Sequence, residues 1–283
     1  MISTRTLVSA GRFVAQRLML DRNVDFWLSE IRPVWSLRER RLRVVEILEE
    51  THDVKTFVLA ASALSPPAKA AKAGQYVPVD VEIDGRRVRR FYSIASAPGD
   101  RQLRITVKRA PSGQVSSWMH DRIRVGDVLA VGEPAGEFVL PETATPELLF
   151  VVGGSGITPA MAILRDLAAR DEICDVVFVV CSRTAKDRIF AGELATLAAA
   201  HPGLRLVFRD DDGDGLLDPG ILRALVPDFA DRVAYVCGPD AMMAAIAPLW
   251  RSARLAHRLH VERFVTARAR FGEGEVQTRA SVH

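Results

Sequence analysis

Cysteine is scarce in this chain. Only Cys174, Cys181 and Cys237 occur in 283 residues, and none sits in a CxxC or Cys/His spacing. A disulfide scaffold, a zinc site and a plant-type [2Fe–2S] cluster are thereby excluded, because each needs paired or closely spaced ligands; no metal is expected. Unpaired thiols suit a reducing, cytoplasmic setting. Long apolar runs are missing too: residues 7–20 are interrupted by Arg12 and Arg17, and no small-residue cleavage site follows. The stretch reads as neither a signal peptide nor a membrane span. A large excess of one charge is also absent, the formal net charge being +3. That is too little to imply nucleic acid, although a slightly basic balance suits an acidic protein partner. With 48% apolar and 26% charged residues and no low-complexity tract, the composition is that of a folded globular chain.

What is present is enough chain for two cores. Residues 1–40 read as two short helices, the second with Val24, Trp27, Leu28 and Ile31 on one face and Pro33 closing it. From Leu42 the apolar period changes to two. Residues 43–48, 56–59, 75–81, 88–94 and 103–107 are strand candidates separated by Asp-Gly and Pro-rich turns, a pattern that predicts a small antiparallel barrel. Residues 141–146, with two prolines and two threonines, read as a linker. Beyond it strands at 147–152, 175–181, 204–208 and 233–237 alternate with helices from Pro159, near 192–200, near Ile221 and over 241–250. Such alternation predicts a parallel sheet covered on both faces, with ligands beyond the carboxyl ends of its strands. The expectation is a two-domain chain: a helical N-terminal extension over 1–40, an antiparallel β-barrel over 41–144, an α/β domain over 145–264 and a tail over 265–283.

Three constellations carry chemistry. In Arg90-Phe91-Tyr92-Ser93, alternation puts Arg90 and Tyr92 on one face and Phe91 and Ser93 on the other. A guanidinium can grip a pyrophosphate, a phenol can stack on a ring and a hydroxyl can bond a ring nitrogen. Taken alone, these four residues equally describe an edge strand with a solvated arginine. At Gly113-Gln114-Val115-Ser116 a turn opens a helix, where the amides of Val115, Ser116 and Ser117 would hold phosphate with help from the helix dipole. Next, an apolar strand ends in Gly153-Gly154-Ser155-Gly156-Ile157-Thr158-Pro159, which is either a dinucleotide cradle or a tight strand-to-helix turn. Finally Cys237-Gly238-Pro239 follows a strand, and a buried cysteine there is more often a small hydrophobe than a catalyst.

Taken together, Arg90-Phe91-Tyr92-Ser93-Ile94-Ala95-Ser96, Val107-Lys108, the turn at Gly113, the glycine run and Cys237-Gly238-Pro239 resemble the ferredoxin-NADP reductase superfamily. Its flavin motif is Arg-x-Tyr-Ser-x-x-Ser, and its nicotinamide motifs are Gly-Gly-x-Gly-x-Thr-Pro and Cys-Gly-Pro. The resemblance implies a flavin-binding barrel and a nicotinamide-binding α/β domain, with FAD and NADPH as cofactors. It implies Arg90 on the FAD pyrophosphate, Tyr92 against the isoalloxazine and Ser93 near flavin N5, with Val107, Lys108, Gly113, Val115, Ser116 and Ser117 completing the flavin site. On the other side it implies Gly153, Gly154, Gly156, Thr158 and Pro159 around the dinucleotide, and Cys237, Gly238 and Pro239 closing the nicotinamide pocket. Ser93, Thr158 and Cys237 are the candidate catalytic residues; the thiol would align two rings, since hydride transfer needs contact rather than an acid or base.

Ser182, Arg183 and Arg188 follow a strand end where an acidic residue would suit the ribose of NAD; serine and arginine suit a 2′-phosphate instead. Solvated loop arginines are the alternative, and Asp187 lies among them. Relatives often carry a fused [2Fe–2S] domain, and residues 274–280 resemble its first strand. The N-terminal helices resemble those of reductases serving desaturases and hydroxylases. The resemblance therefore implies NADPH to FAD to a [2Fe–2S] ferredoxin, with an oxygenase or desaturase downstream. An electron-transfer subunit that does not meet free NADPH, or an NADH-specific enzyme, would share the same motifs.

Overall fold

A computed structural model describes residues 40–61, 70–141 and 147–264. The expected N-terminal helices, most of the linker and the tail lie outside these residues. The first six strands are β1 (Arg41–Thr51), β2 (Val54–Ala61), β3 (Tyr76–Ile83), β4 (Arg86–Ser93), β5 (Leu103–Lys108) and β6 (Val128–Val131). They pair antiparallel in the order β4-β3-β6-β1-β2-β5, and a bridge from Ile94 to Ile105 brings the two edges together. The sheet is thus a barrel with its edges covered. Alternation builds its interior: Val77, Val79, Val81 and Ile83 of β3 point into a core shared with Leu42, Val44, Phe57 and Ile105. Asp84 and Gly85 both take positive φ, 50° and 71°, the geometry a two-residue hairpin needs between β3 and β4. Helix α1 (Gln114–Arg122) follows β5 and inserts Val115 and Met119 into the barrel core.

The second sheet is parallel, with β7 (Leu148–Gly153), β8 (Val176–Ser182), β9 (Leu204–Asp210), β10 (Val233–Cys237) and β11 (Leu259–Glu262) in the order β11-β10-β7-β8-β9. Every residue of β7 and β8 is buried, as a sheet covered on both faces requires. Helices α2 (Ile157–Ala169), α3 (Ala191–Ala200), α4 (Pro219–Leu225), α5 (Asp240–Ile246) and α6 (Pro248–Ser252) accompany it. The chain builds outward from β7 through β8 to β9 and then returns to place β10 on the other flank of β7. That reversal makes a crevice at the carboxyl ends of β7 and β10, the usual ligand position in such sheets.

Three departures from the sequence pattern have physical causes. β6 is four residues long, too short for its period to register. The helix expected over 241–250 is two, because Pro248 lacks the N–H that would continue the first. β11, which the sequence marks only as a domain end, joins the sheet by parallel pairing with β10, with Cys237 opposite Glu262. Among the described residues no helix is long and apolar enough to cross a membrane.

The two sheets share a core. Val54, Ala73, Ala95 and Phe138 from the barrel side belong to one cluster with Phe150, Ile163, Phe178 and Tyr235 from the α/β side. Tyr235 Oη donates to the Val139 carbonyl at 3.0 Å, and Arg165 Nη1 donates to the Ala95 carbonyl.

Candidate functional site

On the barrel, β4 presents arginines with different commitments. Arg87 and Arg89 both donate to Asp80, and those bonds hold its carboxyl below the usual range. Arg90 is bonded only to the neighbouring Arg89 carbonyl at 2.7 Å, and among the described residues it pairs with no carboxylate. It is therefore disposed to meet an anion. Tyr92 lies beside it, and burial pushes its phenol up to about 12, so it stays neutral. Phe91 is 60% exposed and packs edge-on to Tyr76, whereas Ser93 is buried and its Oγ has no hydrogen-bond partner among the described residues. A buried hydroxyl without a partner is costly, and a bound ring offering a hydrogen-bonding nitrogen would relieve it.

The helix start supplies the second wall. A methyl group at Gly113 would lie 2.3 Å from Ser116 Oγ, so the glycine is needed for the turn. Ser116 Oγ is occupied, accepting from Ala110 N at 3.1 Å and donating to Gly113 O at 3.2 Å. Ser117 N, expected among the phosphate-binding amides, instead donates to Gly113 O at 2.9 Å and is not available to a phosphate. The amides left open by helix geometry are those of Gln114, Val115 and Ser116. Val107 is buried, and its carbonyl bonds His120 Nε2 at 2.8 Å. Lys108 pairs with Asp53 at 3.0 Å.

At the crevice of the parallel sheet the glycines divide the labour. A methyl at Gly156 would lie 2.3 Å from the Cys237 carbonyl oxygen, and one at Gly153 would lie 2.8 Å from Pro239 Cδ. One at Gly238 would lie 2.6 Å from Met242 Cε and 2.9 Å from Gly153 N. These three let the two loops pack on each other. Only Gly154, at φ 53°, faces open space. Of the three glycines expected around the dinucleotide, Gly153 and Gly156 are thus also required for packing, and Gly154 has open space beside it. Thr158 is buried and its Oγ1 donates to the Ser155 carbonyl at 2.8 Å, while Pro159 lies in the first turn of α2.

Cys237 is fully buried, and its thiol is pushed well above its ordinary range by burial and then by Glu262 across the β10–β11 register. A thiol held neutral is no nucleophile at physiological pH; it is a small packing group. Glu262, absent from the sequence-level candidates, has a buried Oε2 with no partner among the described residues, and burial pushes its carboxyl up to about 7. Its signal is weak because a glutamate ending a four-residue edge strand looks like surface. His260, two residues earlier, stacks on Tyr235 with ring centroids 4.6 Å apart and 9° between planes.

Beyond β8, Ser182 is buried and Arg183 is 62% exposed, pairing with Asp187 at 3.1 Å and Asp53 at 3.8 Å. Arg188 does not present itself as expected: it makes a two-bond fork to Asp210, at 3.0 and 2.6 Å, and lies over the Phe208 ring. His52, Asp53 and Asp187 bring potential metal ligands together, but Lys108 and Arg183 already face these carboxylates. Burial alone would raise the Asp53 carboxyl; the hydrogen bonds from Lys108 and Thr51 overcome it and hold the group low.

Comparison with known proteins agrees with this division. Residues 41–140 match the oxidoreductase FAD-binding domain, and residues 150–247 match the oxidoreductase NAD-binding domain. The chain is 37% identical over 264 residues to an NADPH oxidoreductase of Mycobacterium tuberculosis, covering 92% of this chain and 69% of the relative. It is 34% identical to a glycine betaine monooxygenase reductase subunit of Chromohalobacter salexigens, covering 77% of this chain and 62% of that one. The FAD/NAD-binding domain of a nitric oxide dioxygenase from Vibrio cholerae superposes with a TM-score of 0.72 at 29% identity, over 80% of this chain and 99% of that domain. The chain thus spans about two thirds of these full-length curated relatives.

Proposed function

Because this chain belongs to the ferredoxin reductase-like oxidoreductases, which join an FAD-binding to an NAD-binding domain, we propose that it takes hydride from NADPH onto FAD and delivers electrons singly. The acceptor is a [2Fe–2S] ferredoxin or a similar one-electron carrier serving an oxygenase or desaturase. The observation that carries the reading is the buried Ser93 Oγ in the middle of the flavin motif, without a partner among the described residues. The residues around it fit FAD: Arg90 and the open amides of Gln114, Val115 and Ser116 would hold the pyrophosphate, and Tyr92 would flank the ring.

Bound FAD would supply the chemistry, taking up a hydride's electron pair from a dihydronicotinamide and passing electrons on singly. The protein's part is order and exclusion. Gly154 leaves room for the dinucleotide at the crevice, and Cys237, a buried neutral thiol at the carboxyl end of β10, would pack behind the nicotinamide and help to align it. Ser93 would orient the flavin by one hydrogen bond, and the apolar cluster around Ala95 and Phe138 keeps water from the shared core.

NADPH is favoured by exposed Arg183 and by the name of the M. tuberculosis relative. An acceptor in an oxygenase system is favoured by the C. salexigens relative, and a reducing cytoplasm by the free thiols. NADH is the second reading, supported by the two carboxylates that already share Arg183 and by the fork that occupies Arg188. Anaerobic addition of each coenzyme to the purified protein decides between them. Faster bleaching of the visible flavin band by NADPH at low concentration supports the first reading, faster bleaching by NADH supports the second, and no bleaching by either rejects both.

A further inference from the structure

Ring-to-ring hydride transfer depends on how one domain is held against the other, and one buried cation joins the two loops concerned. Arg165 projects from α2, the helix that begins directly after the Gly153–Gly156 turn, and its side chain is only 10% exposed. Nε and Nη2 form a fork with Glu193 of α3, at 2.8 and 2.6 Å. The guanidinium also lies over the Phe190 ring, 4.8 Å from its centroid, and Phe190 takes a left-handed φ of 58° where it leads into α3. The remaining donor, Nη1, reaches across to the Ala95 carbonyl.

Ala95 stands two residues beyond Ser93. Its amide donates to the Arg104 carbonyl of β5 at 2.8 Å, beside the Ile94–Ile105 bridge that joins the barrel edges. Ala95, within the flavin motif, is therefore anchored to the barrel through its amide and to the α/β domain through its carbonyl. Glu50 completes the surroundings: it accepts from Thr56 Oγ1 at 2.7 Å, Thr56 bonds Thr106 at 2.8 Å, and the carboxyl feels both Arg165 and Glu193. A single planar fork with a third donor at a fixed angle can hold this geometry; a lysine ammonium, a point charge on a flexible stem, cannot.

We propose that Arg165 is a positioning residue: by tying α2 to the Ala95 carbonyl it sets the separation of the nicotinamide loop from Ser93 of the flavin motif. The inference rests on the function proposed above. Misplacement by about an ångström between reacting groups can cost on the order of a hundredfold in rate while leaving ground-state binding intact.

The test uses the full chain with FAD and three variants, Arg165→Met, Arg165→Lys and Glu193→Gln. Each is measured for FAD content, coenzyme Kd, anaerobic single-turnover flavin reduction and the long-wavelength charge-transfer absorbance of the stacked rings. Hydrogen exchange over residues 93–96 is followed in the flavin-free chain. Arg165→Met and Arg165→Lys should reduce flavin at least tenfold more slowly, weaken the charge-transfer absorbance and speed exchange at Ala95, with FAD content and Kd within about twofold of the parent. Glu193→Gln keeps the Ala95 bond but loosens the fork, so it should fall between. If Arg165→Met fails to fold, Arg165→Lys and Glu193→Gln decide the question. Reduction rates and charge-transfer absorbance within about twofold of the parent in the folded variants would make Arg165 a structural brace only and overturn the proposal. If the parent flavin is reduced by neither NADPH nor NADH, the functional reading itself fails, and the proposal with it.

Discussion

Single side chains carry the sharpest expectations. Arg90 faces no carboxylate among the described residues, so its guanidinium is free to meet a phosphate, and Arg90→Ala should weaken FAD binding by about 1.5–3 kcal/mol, roughly 10- to 150-fold. Flavin content after dialysis checks this; unchanged retention would remove Arg90 from the site. Cys237→Ala should leave both ligands bound and slow single-turnover reduction, because a buried neutral thiol contributes shape rather than charge. Glu262 yields a pH dependence. Its folded carboxyl titrates near 7, above the usual value, so between about pH 4.5 and 7 the folded state holds more protons than the unfolded. Stability of the flavin-free protein should therefore fall as pH rises through that window and level off above it. The loss is a few kcal/mol at most, because each tenfold change in proton affinity is worth about 1.4 kcal/mol. Glu262→Gln should flatten the profile in chemical denaturation; an unchanged slope would mean the carboxyl is not buried in solution. Glu262 and Arg165 are illegible in the sequence because their surroundings come from pairings between distant segments: β10 with β11, and α2 with Ala95 just beyond β4.

Among the elements, strands with a clear two-residue period, such as β3, are legible to within two residues, and so are the buried runs of β7 and β8. The glycine run is legible as a strand-to-helix turn, yet the sequence cannot apportion its glycines between packing and ligand approach. Only the contacts do that. A methyl at Gly156 meets backbone that cannot move aside, whereas one at Gly154 meets nothing and carries only the left-handed strain. Gly156→Ala should therefore cost about 3 kcal/mol or more and Gly154→Ala about 1 kcal/mol. Thermal melting of the two variants checks the order, and a larger loss at Gly154 would contradict this packing. The α1 start shows the same limit: the motif locates the phosphate-facing turn, but the bond from Ser117 N to Gly113 O shifts the open amides one residue toward the N-terminus.

For the whole molecule, the two sheets are joined by apolar packing and by the bonds of Arg165 and Tyr235. Arg183 also spans them, pairing with Asp53 of the barrel and Asp187 of the α/β domain, so a 2′-phosphate there would compete with both carboxylates. Arg183→Ala should raise KM for NADPH several-fold more than for NADH with little change in kcat; equal effects would take the residue out of coenzyme choice. The slightly basic chain should also pass electrons to an acidic ferredoxin less efficiently as salt screens their encounter. The two-domain architecture is legible because the apolar period changes from two to the strand-helix alternation; the relation between the domains is not, since it depends on contacts such as Ala95 with Arg165. The relay proposed for this chain runs from a two-electron donor to a one-electron acceptor through one flavin. Anaerobic titration of the FAD-loaded chain tests it directly: one equivalent of NADPH should bleach the visible flavin band, and an oxidised [2Fe–2S] ferredoxin added next should restore it, consuming two ferredoxins per chain. Failure of NADPH to bleach the band, or bleaching that ferredoxin does not reverse, would contradict the relay.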